Sequence, residues 1–468
     1  MDHIETEYLI VGAGAVGMAF ADTLLSETKA DIVIVDRYGA PGGHWTVAYP
    51  FVRLHQPASF YGVNSRELSS GRIDEIGLNQ GLGDLSSGSD ILAYYDAVMR
   101  DRFLASGRVR YLPMTDWLGD GLARNRLTNT ETTLAAKRVV DTTWLRTSVP
   151  ATHTPDFTVE PGVRMIPVND LPAVDTAPDG FTVVGGGKTG IDACLWLLQM
   201  GVSADRIRWI VSRDAWFLDR GTSQTDPGFF RETMGTIAAQ LEAIAGAETI
   251  DDMFDRLEAC GYFLRLDPSE RPNMFHGATI TRRELDALRT IKNVVRLGRV
   301  KHIGAIEMTL HRGVIPTTRD TVHVDCSASA VTNFEMKPVF EGSVITPQTV
   351  RSYQPAFSAA LVAWVEANRS AEVEKNRLCQ VVPLPNHDTD FIRFTAAFML
   401  NQYNWSQEAD LKMWLKESRL DGFSSLASGI PKDDVAKQDI MARIRDASLP
   451  AVARLRQFEA QIDNISGS

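Results

Sequence analysis

The apolar positions of the chain fall into two copies of one pattern. Near the start, "EYLIVGAGAVGMAFADTLL" gives four consecutive apolar residues, Tyr8 to Val11. A run that short and continuous predicts a strand buried on both faces. The glycine-rich turn Gly12-Ala13-Gly14-Ala15-Val16-Gly17 follows, and then Met18, Phe20, Ala21, Leu24 and Leu25 recur at helical spacing. "DIVIVDR" predicts the next strand, which ends in Asp36 and Arg37. The order repeats at Phe181–Leu198, where "FTVV" leads into Gly185-x-Gly187-x-x-Gly190 and an apolar helix, and "RIRWIVSRD" supplies the following strand.

Elsewhere, residues 90–106 have helical spacing, and residues 109–129 predict a strand meander with polar turns. "KRVVDTTW" (Lys137–Trp144) and "TVHVDCSAS" (Thr321–Ser329) predict two short strands, each ending in Asp followed by small hydroxyl or thiol residues. Residues 226–292 read as a helical insertion, and the tail from Phe357 to Gln461 reads as amphipathic helices. Trp405 and Trp414 lie at helical spacing in that tail, which favours the core over a pocket wall.

Lys188 and Thr189, after a glycine run, suggest a triphosphate loop. That loop needs a glycine five positions before Gly187, and Thr182 stands there. In the other register both turns match the dinucleotide fingerprint. Its first glycine permits the tight turn, its second lets backbone approach a pyrophosphate, its third lets the helix lie close to the strand, and the helix N-terminus attracts the anion. Asp36, twenty-four positions after Gly12, stands where such folds place an acceptor for an adenosine ribose hydroxyl. The second unit ends in Ser212 and Arg213 with no acid at the strand end proper. A guanidinium there can hold a 2′-phosphate that a carboxylate would repel, which predicts NADPH over NADH; Asp214, one residue on, should point away. The expected fold class is therefore α/β, with two Rossmann-like dinucleotide-binding domains.

Composition narrows the function. A chain of 468 residues, 44% hydrophobic, has room for two or three domains. A net charge of −11 argues against nucleic acid or an anionic membrane as partner. No apolar run approaches the roughly twenty residues of a membrane span, and the opening "MDHIETEYLI" lacks the parts of a signal peptide, so a cytoplasmic location is expected. Cys194, Cys260, Cys326 and Cys379 form no close pair and no metal-like cluster, which excludes thiol–disulfide chemistry and predicts no metal.

Two fingerprints about 170 residues apart, with "PGGHW" after the first acidic strand end, resemble the flavin-containing monooxygenases and their Baeyer–Villiger and N-hydroxylating relatives. The resemblance implies FAD at the first fingerprint, with Gly42, Gly43, His44 and Trp45 running beside the flavin, and NADPH at the second. It implies that "FVRLHQPASFYGVNS" lines the flavin's reactive face, and that Thr142, Thr143, Cys326 and Ser327 lie near the flavin, with Cys326 as a packing residue. It also implies three segments: 1–172, the first part of an FAD domain; 173–322, an inserted NADPH domain with its helical insertion; and 323–468, the second part of the FAD domain and the helical tail. The activity implied is oxygenation of a small organic substrate by dioxygen through a flavin C4a-peroxide.

The family's linker signature, Phe-x-Gly-x-x-x-His, falls here on Val163, Met165 and Asn169, and His153 lies outside that register. His55, Gln56 and Asn169 are the catalytic candidates. His55 and Gln56 fit equally as polar residues closing a buried loop. The lost histidine leaves two alternatives open, an NADPH-dependent FAD reductase without oxygen insertion and a non-catalytic redox-sensing protein.

Overall fold

The computed structural model describes residues 2–329 and 331–466. Its first sheet is built on Asp2–Val11, which pairs in parallel with Ile32–Val35 on one side and Glu131–Asp141 on the other, with Ile10 opposite both Ile34 and Val140. Val109–Leu112 extends the sheet past Ile32–Val35, and the hairpin Thr115–Gly119/Leu122–Asn125 hangs on Glu131–Asp141. Ile10, Ile34 and Val140 are fully buried, as strands covered on both faces require. The helix Ala15–Glu27 packs against Pro355–Asn368, whose residues from Ala356 to Glu366 are all buried.

The second sheet is all parallel, in the order Asn293–Val295, Ile207–Ile210, Gly180–Val184, Thr321–Asp325, Met165–Pro167. One face is apolar (Phe181, Val183, Ile207, Trp209, Val322, Val324) and packs in one cluster with Ile191, Cys194 and Leu195 of the helix Lys188–Gln199. A four-stranded sheet containing the meander Val300–Ile303, Glu307–Leu310 and Gly313–Pro316 covers the upper part of the other face, where Val184 and Ile210 join Ile303, Met308 and Leu310.

Three expectations are corrected. The insertion at 226–292 is α-helical only at Phe230–Ala245, Ile250–Ala259 and Arg282–Leu288; Phe263–Leu264 and Met274–Ile280 are strands that sandwich Ala215–Asp219 in a three-stranded sheet. Met165–Pro167 and Thr321–Asp325 span or precede the boundaries expected at 172/173 and 322/323, yet both belong to the second sheet. The chain rejoins the first sheet later, at Val344–Ile345, which pairs in parallel with Val139–Val140.

The helical tail is as expected. Trp405 is 3% exposed, and its indole N–H donates to Leu378 O at 2.8 Å; Trp414 packs on Trp364 and Phe357, so both tryptophans belong to the core. Among the described residues no helix is long and apolar enough to cross a membrane, and no group of three or more His, Cys, Asp or Glu could hold a metal ion.

Candidate dinucleotide-binding site

The two glycine turns have the same construction. Gly12 has φ +104° and Gly185 φ +133°, a region that side-chain-bearing residues rarely adopt. A Cβ at Gly17 would overlap the carbonyl oxygen of Gly12, and one at Gly190 would overlap that of Gly185. Each third glycine thus lets its helix lie on the first glycine's peptide. Gly14 and Gly187 stand as the residues before their helices, where free N–H groups and the helix dipole favour an anion.

What surrounds the turns differs. Thr142 donates to Val11 O at 2.6 Å and lies against Gly12, while Thr143 is held by Asp141. Gly42 N donates to Ala13 O at 2.8 Å, and Gly43 (φ +59°) lies so close on Gly14 that a Cβ there would stand 2.9 Å from the Gly14 Cα. The "GGHW" segment is therefore laid directly on the first turn. Trp45 is nearly buried, donates from its indole N–H to Tyr61 Oη at 2.7 Å, and stacks on His44.

Asp36 accepts from Ala13 N at 2.5 Å and Tyr38 N at 2.7 Å, so it braces the turn it follows. Burial raises its pKa, and these two N–H donors work against that shift. Arg37 is exposed and lies 3.7 Å from Asp116.

At the second turn the neighbour is Cys326, whose carbonyl lies against Gly185 and whose thiol is pushed up by burial. Cys326 is the packing residue expected, but it sits at the second turn rather than the first. Ser327 donates to Asp325 and lies 3.3 Å from His153 Nε2.

Lys188 pairs with Asp192, and Asp192 also accepts from Tyr49 Oη at 2.7 Å; Thr189 faces the same hydroxyl. That link joins the "GGHWTVAY" segment to the second helix. Arg213 donates to Asn386 Oδ1 at 2.8 Å, beside a half-buried Ser212. Asp214 is engaged by Arg296 at 2.8 and 3.1 Å, as a carboxylate turned away from Arg213 should be.

The catalytic candidates are placed unequally. Asn169 donates to Val47 O at 3.1 Å, which brings the linker onto the Gly43–Val47 turn, and its Oδ1 is buried without a partner. Val163 and Met165 instead pack on the meander. His55 Nδ1 is also buried without a partner. Its ring is held neutral, with a pKa down at about 3, by burial and then by Lys188 and Arg220. Gln56 is half-buried and makes no hydrogen bond to another described residue.

Sequence reasoning missed Arg220, 1% exposed, which donates to His55 O at 2.8 Å and Asn79 Oδ1 at 3.1 Å and pairs with Glu284 at 3.0 Å. It also missed Asn386, more than 170 residues from Arg213; no local pattern marks either. Asp192, four residues after Lys188 on a helix, was readable as its partner.

Burial lowers the pKa of His44 to about 4, and that of His323 to about 4 with a further contribution from Arg208. Below about pH 6.5 the unfolded chain takes up protons at His44, His55 and His323 that the folded chain refuses. Their contribution to stability is complete above that pH and is lost as pH falls toward 4. Urea unfolding at pH 7, 6 and 5 should show stability falling, each histidine contributing up to about 1.4 kcal/mol per pH unit. His55→Gln should flatten the slope by about that amount; an unchanged slope would show that His55 is not held neutral.

Both turns fit the diphosphate of a dinucleotide. Each has a first glycine with φ positive, a third glycine where a Cβ has no room, and a helix start behind it. The unpartnered Asn169 Oδ1 and His55 Nδ1 are polar atoms that a bound group can satisfy.

No protein-family model matches the chain. In the polycyclic ketone monooxygenase of the thermophilic fungus Thermothelomyces thermophila the fold recurs with a TM-score of 0.50 at 12% identity, over 96% of this chain and 89% of that one. An oxidised steroid monooxygenase bound to NADP gives 0.50 at 13% identity, over 78% and 85%. The chain thus has the α/β fold of these flavin monooxygenases. Uncharacterized protein Rv2000 of Mycobacterium tuberculosis is 45% identical over 424 residues, covering 90% of this chain and 79% of that protein. At that identity and coverage, the chain belongs to the same protein family as Rv2000.

Proposed function

We propose that the protein is an FAD- and NADPH-dependent oxidoreductase that oxygenates a small organic substrate with dioxygen. The observation that carries this reading is the pair of equivalent glycine turns, the first overlaid by Gly42 and Gly43. Gly12, Ala13, Gly14, Ala15 and Gly17 would hold the FAD diphosphate and Asp36 the adenosine ribose. His44, Trp45, Thr142 and Thr143 would stand beside them, with Arg37 and Ser327 at the margins. Gly185, Gly187, Lys188, Thr189 and Gly190 would hold the NADPH diphosphate, and Ser212 and Arg213 its 2′-phosphate. Bound FAD supplies acceptance of hydride from NADPH and activation of dioxygen.

The chain's own residues orient and desolvate. Tyr49, Asp192 and Lys188 tie the two turns together. His55, held neutral, offers an acceptor rather than a charge, and Asn169 offers an unpaired carbonyl oxygen beside the Gly43–Val47 turn. A neutral, dry lining favours oxygen transfer over release of hydrogen peroxide. The linker position held by Asn169 supports a second reading, a reductase without oxygen insertion, because an amide carries no titratable proton.

The test is whether purified protein releases FAD on denaturation and consumes NADPH in air. Oxygen-18 from dioxygen in a product supports oxygenation, whereas hydrogen peroxide equal to the NADPH consumed under every substrate tried favours the reductase. Arg213→Ala removes the charged partner of the 2′-phosphate, an interaction of about 1.5–3 kcal/mol. The Michaelis constant for NADPH should rise roughly ten- to hundredfold while that for NADH barely moves. Equal effects on the two cofactors would remove Arg213 from this role. Asn386→Ala, which frees the guanidinium, should produce a smaller rise of the same selectivity.

A further inference from the structure

A covered parallel sheet should be apolar on both faces, and the second sheet is not. Register places Asn293 beside Arg208, Arg208 beside Thr182, and Thr182 beside His323, one polar row across four strands on the face opposite the apolar cluster. The meander covers this face only at the level of Val184 and Ile210. Below it, toward the amino ends of the strands, lies a cavity of about 340 Å³ lined by Arg206, Arg208, Thr182, Asn293, Thr317 and Thr321. That is enough for a small metabolite.

The groups at this cavity are donors in search of an acceptor. Arg208, half-buried, spends one nitrogen on Pro316 O at 2.7 Å; Arg206 donates to the carbonyls of Pro178 and Asp179. Neither guanidinium has a carboxylate within ion-pair distance among the described residues, although the chain carries 59 acidic residues. The two acids at the rim are otherwise engaged, Asp179 accepting from Thr318 at 3.1 Å and Asp205 from Ser203. Thr182 is 1% exposed and makes no side-chain hydrogen bond to a described residue. His323 is fully buried with Nδ1 unpartnered, 3.4 Å through Nε2 from Thr317 Oγ1. Half-burying a cation without a counter-charge is costly, and the unpartnered, buried Thr182 hydroxyl beside it adds to that cost.

We infer that this cavity, at the end of the second sheet remote from its glycine turn, is a binding site for a small oxyanion, a phosphate or carboxylate group held by Arg208 and Arg206 with Thr182 and Thr317 donating. Guanidinium and hydroxyl donors suit such oxygens. The site is independent of the dinucleotide turns and stands whether or not FAD and NADPH are the cofactors.

Calorimetric titration of the full-length protein with inorganic phosphate and, separately, with succinate tests this, with hydrogen–deuterium exchange to locate the site. One anion should bind at one equivalent and protect residues 180–184 and 313–321. Phosphate alone binding identifies a phosphoryl ligand, and succinate alone a carboxylate. Arg208→Gln should weaken binding at least tenfold, and Thr182→Val, which keeps the side chain's shape, severalfold. Arg213→Ala should leave it unchanged. Binding of neither anion, binding that survives both Arg208→Gln and Thr182→Val, or binding lost in Arg213→Ala would overturn the inference.

Discussion

Gly17→Ala should yield a protein that cannot retain flavin, while Gly187→Ala should keep its flavin and fold with wild-type stability. Both changes add one methyl group to a fingerprint glycine, and both glycines have ordinary negative or helical backbone angles, so the difference lies in what the new carbon meets. At Gly17 it meets the carbonyl oxygen of Gly12, inside van der Waals contact. Gly12 cannot retreat, because Thr142 presses on its other side and its own φ of +104° is already fixed by the turn. The helix must lift from the strand, which opens the arrangement of N–H groups around the diphosphate and costs about 3 kcal/mol in packing. At Gly187 an added carbon has nothing within 4 Å, and φ is −83°. Gly190→Ala completes the set, since its carbon overlaps Gly185 O. It should purify with FAD bound yet lose reduction by NADPH. Absorbance at the flavin band, flavin released on denaturation, and the melting temperature read all three variants. Gly17→Ala that stays yellow and stable would refute the assignment of FAD to the first turn.

The parts of this molecule that were legible in sequence are those in which cause and effect lie close along the chain. A strand, a six-residue turn and a helix are specified within about twenty residues, so Gly12, Gly17, Gly185 and Gly190 could be assigned their packing roles before any coordinates. Asp36 could be placed at the end of the second strand for the same reason, and the structure adds that it braces Ala13 N. The strands Glu131–Asp141 and Thr321–Asp325 show where that reading stops. Both are β-branched and end in Asp, yet one joins the first sheet and the other the second, because sheet membership is decided by partners such as Thr182 opposite His323, about 140 residues apart. Met274–Ile280 was hidden similarly. It follows two real helices, contains Gly277 at φ +66°, and becomes a strand only because Ala215–Asp219 is there to pair with it.

Arg220 is the residue whose importance local pattern could least disclose, and its loss should have the largest effect on folding. It sits just after Ala215–Asp219, fully buried, and its guanidinium reaches two separate parts of the chain: His55 O and Asn79 Oδ1 on the flavin-side loops, Thr279 O and Glu284 on the second unit. Glu284 is itself nearly buried and caps the helix Arg282–Leu288 by accepting from Thr281 N at 2.7 Å. Arg220→Met keeps the volume but leaves Glu284 as a buried charge without its cation, and takes a donor from three oxygens, His55 O, Asn79 Oδ1 and Thr279 O. Removal of one member of a buried pair costs about 3–5 kcal/mol. Urea unfolding should show a loss of that size. Adding Glu284→Gln, which retains the cap but removes the charge, should restore more than half of it. The double variant then isolates the second consequence. With the fold recovered but the tie to His55 O still cut, catalytic turnover of NADPH should remain well below wild type, because the His55 loop is no longer fixed against the second unit. Full activity in the double variant would show that Arg220 serves folding alone, and a single variant as stable as wild type would show that the Glu284 charge finds water or another partner.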